Sequence, residues 1–130
     1  MKQPNDGPDF VSAEFFMAKP TEHLIPNDLD RPDEVFEKAA ELFRVMSAPL
    51  RLKIISCLCE GEKNVSYLLS KIDTTQPNMS QHLNTLYQAG ILGKRRDGVQ
   101  IHYRITDDRV PVLCRAMCTQ ILAEGDFKED

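Results

Sequence analysis

The sequence predicts a mainly α-helical domain that carries one small β-hairpin, and three observations predict it. Apolar residues repeat at three and four along successive stretches between Pro32 and Gly90. Two short runs flank Asp97-Gly98, and the second alternates apolar with polar residues. Five of the eight prolines (Pro4, Pro8, Pro20, Pro26 and Pro32) fall in residues 1–32, leaving an irregular arm before the helical part.

The elements follow in order. Within the arm, Phe10, Val11, Phe15, Phe16 and Met17 are too apolar for a solvated tail and suggest a short helix packed on the body or on a partner. Pro32 suits a first helical turn, and Asp33 and Glu34 put negative charge where the helix dipole favours it. Val35, Phe36, Ala39, Ala40, Phe43 and Met46 then form the stripe of a first helix that ends near Ser47. Pro49 opens a second helix with Leu50, Ile54, Cys57 and Leu58 on one face, stopped by Gly61. Asn64 suits the cap of a third, which turns Val65, Leu68, Leu69 and Ile72 inward. Thr74 or Thr75 caps a fourth, with Pro77 tolerated in its first turn and Met79, Leu83 and Leu86 buried.

Helix, short connection and capped helix within residues 65–90 have helix-turn-helix spacing. Residues 91–96 and 99–105 then pair across Asp97-Gly98 as a wing, with Val99, Ile101, Tyr103 and Ile105 on its inner face. A type I′ turn is expected there, with positive φ at both Asp97 and Gly98. A last helix runs from about Arg109 to Glu124, capped by Asp107 or Asp108. The expected organisation is an arm over 1–32, a winged helix-turn-helix domain over 33–124 and an acidic tail over 125–130.

Composition narrows the class. With 130 residues the chain has room for one core. No apolar run reaches the roughly 20 residues of a membrane span, and the first residues lack the basic start and apolar centre of a secretory signal. A cytoplasmic protein with no membrane partner is expected. There, Cys57, Cys59, Cys114 and Cys118 would be mostly thiols rather than a disulfide framework.

The net charge of −4 conceals a division along the chain. Residues 51–105 carry eight Lys/Arg against four Asp/Glu, whereas residues 1–50 carry five against ten and residues 106–130 three against six. The basic block contains the helix-turn-helix and the wing. The fourth helix opens with Gln76, Asn78, Ser80, Gln81 and His82, whose amide, hydroxyl and imidazole groups donate and accept toward base edges in a major groove. Its N-terminus also favours a phosphate. Lys94, Arg95 and Arg96 approach the wing turn, where a hairpin reaches backbone phosphates or a minor groove, and Arg51 and Lys53 open the second helix.

These pieces stand in a familiar order. "APLRLKII", "QPNMSQHLNTLYQAGIL" and "RRDGVQIHYRI", within a stretch from Ala40 to Ile105, resemble the winged-helix core of the ArsR/SmtB family of bacterial repressors. The resemblance implies a homodimer joined through its first and last helices, with helical dimerisation elements at both ends of the domain. It also implies a double-stranded operator with an inverted repeat, and release of the DNA by an inducer.

Members of that family sense soft metals, metalloids or reactive sulfur, and their sites map unevenly here. Asn64 and Ser66 occupy the cysteine positions of the arsenic-type site. In the zinc-type site of the last helix only Asp107 matches, with Arg109, Gln120 and Ala123 at the other positions. The cysteine positions of the sulfur-sensing subgroup fall at Ser56 and Leu122, one residue and one turn from the thiols present.

The thiols themselves remain as sensor candidates. Cys114 and Cys118 lie one turn apart on one helix face, whereas Cys57 and Cys59 face nearly opposite ways. Cys114, Cys118 and either Cys57 or Cys59 would suit a soft metal or metalloid ion, and two neighbouring thiols would suit a disulfide or bridged polysulfide. Redox or sulfur sensing ranks first. No phosphate-cradling loop, metal-hydrolase motif or nucleophile motif occurs, so an enzyme is not expected. The competing reading is a winged-helix protein-interaction module that leaves DNA alone.

Overall fold

The computed structural model describes residues 31–125. Five helices and three short strands follow in the order α1 (Asp33–Met46), α2 (Pro49–Leu58), β1 (Lys63–Asn64), α3 (Val65–Lys71), α4 (Gln76–Gln88), β2 (Leu92–Asp97), β3 (Gln100–Ile105) and α5 (Arg109–Glu124). The expected arm helix around Phe10–Met17 lies outside the described residues, as does the tail beyond Gly125.

Local chemistry sets most of the boundaries. Pro32 stands just before α1 rather than inside it, and its carbonyl accepts from Val35 N at 3.0 Å. Asn64 Oδ1 accepts from Tyr67 N at 2.8 Å and so caps α3. Thr75, rather than Thr74, caps α4 by accepting from Asn78 N at 3.2 Å. At the far end, Gly90 N donates to Tyr87 O and Ile91 N donates to Leu86 O, both at 3.0 Å. That pair of bonds is a Schellman ending, and it needs the positive φ of 81° that Gly90 supplies. Before α5, Asp108 holds the cap position, but the side chain that accepts from Arg109 N is that of Asp107, at 3.0 Å.

The sheet corrects the expected hairpin in two ways. It has three antiparallel strands in the order β1-β3-β2, because the two residues before α3 pair with β3, Lys63 opposite Tyr103 and Asn64 opposite His102. In the wing, Asp97 pairs with Gln100, so the turn residues are Gly98 and Val99. Positive φ occurs only at Gly98 (69°), which suits a type II′ turn with glycine first and excludes the type I′ turn. Val99 thereby leaves the inner face and stands 91% exposed at the tip.

The core gathers between α2, α3, α4 and the sheet. Ile54, Ile55, Leu58, Leu68, Ile72, Met79, Leu83, Leu86, Ile91, Leu92 and Tyr103 fill it, joined by Val110 and Cys114 from α5. Helix α1 gives it Val45 and Met46, with Leu42 packed partly buried against it. The rest of the predicted α1 stripe is left uncovered: Val35, Phe36 and Phe43 are exposed, Phe43 to 55%. Helix α5 likewise exposes Val112, Met117, Ile121 and Leu122. Among the described residues no helix is long and apolar enough to cross a membrane.

Candidate nucleic-acid interface and thiol cluster

Helix α4 is two-faced. Met79, Leu83 and Leu86 are fully buried on one side. Gln76, Asn78, Ser80 and Gln81 are exposed on the other. Asn78 is partly committed to the helix start, since its Nδ2 donates to Thr74 Oγ1 at 2.9 Å. The side chains of Gln76, Ser80 and Gln81 have no hydrogen-bond partner among those of the described residues, so their donors and acceptors remain available.

His82 departs from this pattern. Its ring is half-buried, its Nδ1 is shut off from solvent without a hydrogen-bond partner among the described residues, and burial beside Arg51 holds its pKa below the ordinary value. The sequence carried the signal: His82 follows Met79 by three and precedes Leu86 by four, the spacing of the buried stripe. Arg51 is half-buried too, with its Nε enclosed, whereas Lys53 is exposed.

The three wing cations separate. Lys94 pairs across the sheet with Tyr103 and Arg96 with Ile101, so both lie on the face that turns toward the core. The Lys94 Nζ stands 4.3 Å from the centre of the Tyr87 ring of α4, a cation–π contact that ties the wing to that helix. Arg96 extends toward the tip, its Nη1 donating to Gly98 O at 3.4 Å. Arg95 lies on the opposite face and donates two hydrogen bonds to Glu62, at 2.9 and 3.0 Å. Nothing local in the sequence marks Glu62 as its partner.

The cysteines separate as well. Cys114 is buried and Cys118, one turn later, is exposed. Cys114 Sγ faces the carbonyl of Leu52 at 3.9 Å, which seats α5 on α2. Burial raises the Cys114 pKa to about 11, with Cys118 and Cys59 adding to the rise. Those neighbours identify the α2 thiol near the pair as Cys59. Cys57 faces elsewhere, its pKa raised by burial and by Glu60 and offset by Lys71 and Lys63. Among the described residues no group of three or more His, Cys, Asp or Glu side chains is placed to hold a metal ion, so the expected three-thiolate ligand set is not assembled.

Comparison with known proteins agrees with this architecture. The family model described as "Bacterial regulatory protein, arsR family" matches residues 48–94, from α2 into the wing. A biofilm growth-associated repressor of Xylella fastidiosa is 36% identical over 103 residues, covering 78% of this chain and 87% of its own. An HTH-type transcriptional regulator of Methanocaldococcus jannaschii is 42% identical over 83 residues, 63% of this chain and 93% of its own. The crystal structure of the transcriptional repressor BigR from Xylella fastidiosa superposes with a TM-score of 0.61 at 36% identity, over 68% of this chain and 95% of that one. With this helix order, this wing and these relatives, the chain belongs to the ArsR/SmtB family of winged helix-turn-helix transcriptional repressors.

Proposed function

We propose that the protein is a homodimeric repressor that lays α4 into the major groove of an inverted-repeat operator and is released by modification of its α5 thiols. The observation that carries this reading is the polar face of α4. Gln76, Ser80 and Gln81 stand exposed, without a side-chain hydrogen bond among the described residues, on a helix whose other side is fully buried, a rod prepared for base edges. Lys94 and Arg96 on the wing, with Asn78 at the helix start, supply phosphate and groove contacts beside it.

Dimerisation explains the uncovered apolar side chains. Val35, Phe43 and Val112 border an open groove of about 810 Å³ between α1 and α5, and Met117, Ile121 and Leu122 continue the apolar surface. A contiguous patch of this kind on a single chain calls for a partner, and a second copy matches the family arrangement.

Induction is assigned to Cys118 and Cys114, with Cys59 adjacent. Cys118 is accessible and reacts first, since Cys114 is held as the neutral thiol by its raised pKa. Side chains four apart on a helix have Cβ atoms about 5–6 Å apart, wider than the roughly 3.5–4.5 Å of a disulfide. A bridge containing extra sulfur atoms spans that gap without breaking the helix. In forming it, a polysulfide dianion leaves its inner sulfur atoms in the bridge and accepts the two electrons of the thiols, while its two terminal sulfurs leave as two hydrosulfide ions carrying the two thiol protons. Polysulfide is therefore favoured over peroxide, and over metal ions because no group of three ligands is placed together among the described residues.

The test is selection of duplexes from a random library by the reduced dimer, followed by anisotropy titration with polysulfide, peroxide, Cd²⁺ and arsenite in parallel. A pseudo-palindromic site should emerge, and polysulfide should release it from the wild type but not from Cys118→Ser. Failure to enrich any sequence would favour the protein-interaction reading. Normal release of the variant by polysulfide would remove Cys118 from the sensor.

A further inference from the structure

The wing carries three adjacent cations, Lys94, Arg95 and Arg96, and its geometry does not treat them alike. Cross-strand partners share a face of a sheet. Lys63, Tyr103 and Lys94 form one row, and Asn64, His102 and Arg95 form the next, on the opposite face. Tyr103 is buried, so Arg95 lies on the outer face. Glu62 immediately precedes β1 and reaches across β3 to take both the Nε and Nη2 donors of Arg95. A bidentate guanidinium–carboxylate pair is the strongest common form of this contact.

The pair is partly shielded, with side-chain exposures of 50% for Arg95 and 29% for Glu62. Arg104, from β3, adds positive charge around the same carboxylate. Glu62 is therefore stabilised as an anion at the one place where it competes with a phosphate for Arg95. The link also ties the outermost strand, β2, to β1 at the opposite edge of the three-stranded sheet.

Resting on the DNA-binding reading above, we propose that Glu62 is a positioning residue that withholds Arg95 from the DNA backbone and pins the wing to the body. The phosphate contacts of the wing are then those of Lys94 and Arg96, and Arg95 is a strut. Counterion release makes this countable, because each phosphate contact contributes about 0.9 to the slope of log affinity against log salt.

The experiment measures that slope by anisotropy on the selected operator for full-length wild type, Arg95→Gln, Glu62→Gln and the double variant, with thermal melts to verify folding. Arg95→Gln should keep the wild-type slope. Glu62→Gln frees Arg95 and should steepen the slope by up to one contact, roughly a 3.5-fold greater loss of affinity between 50 and 200 mM salt. The double variant should return to the wild-type slope. A slope lowered by about one contact in Arg95→Gln would overturn the proposal. So would an unchanged slope in Glu62→Gln, or a steepened slope that persists in the double variant. If the wild type itself shows no salt-dependent binding, the DNA-binding reading fails instead.

Discussion

His82 stands next to Gln81 on α4 but is half-buried where Gln81 is exposed. Its half-buried ring packs near Arg51, and both burial and that positive charge disfavour the imidazolium. A histidine whose folded pKa is lowered contributes stability that is complete above its ordinary value of 6.5. That stability is lost as pH falls through 6.5 toward the lower folded value, because the unfolded chain binds the proton more readily. The paired carboxylates Glu62 and Asp107 also have lowered pKa values, but from ordinary values of 4.5 and 3.8, so their contribution fades only at more acid pH. Between pH 7 and 5 the histidine should dominate. Urea denaturation of the wild type should show stability falling over that interval, with a shallower fall for His82→Gln. Equal slopes would mean that His82 is not the buried titrating group.

Helix α4 is held at both ends by short-range devices, which is why the sequence displayed it so clearly. Thr75 caps its start, and Gly90 closes it with the paired bonds from Gly90 and Ile91. Apart from its chain neighbours, no atom of the described residues lies within 4 Å of where a Cβ at Gly90 would stand, so Gly90→Ala meets no clash there and its cost is the positive φ. That cost should be about 1–2 kcal/mol, read from urea or thermal unfolding; an unchanged stability would mean that the ending rearranges freely. The elements that escaped the sequence depend on distant partners. Strand β1 is two residues long and exists only because β3, almost forty residues later, lies beside it. The turn slipped by one residue because Gly98 alone supplies positive φ, whereas Asp-Gly had suggested both positions. The Arg95–Glu62 pair spans 33 residues, and no local pattern announces it. The choice of Cys59 over Cys57 likewise depended on how α5 settles against α2.

At the scale of the molecule, the proposed function gives two sets of surfaces separate duties. The uncovered faces of α1 and α5 lie where the chain is acidic and apolar, and the exposed polar face of α4 with the wing lies in the basic block between them. A helical period identified α1 correctly, but it could not say that most of the stripe would face away from the chain's own core. That division supports a dimer presenting two copies of α4 to one duplex, and its most direct test removes the reading groups while leaving everything else. Ser80 and Gln81 are exposed and make no side-chain hydrogen bond to the described residues, so replacing both with alanine should preserve folding and the dimer by light scattering. DNase footprinting of that double variant should show the selected operator unprotected at concentrations where the wild type protects both half-sites. An unaltered footprint would contradict the assignment of α4 as the helix that reads the DNA.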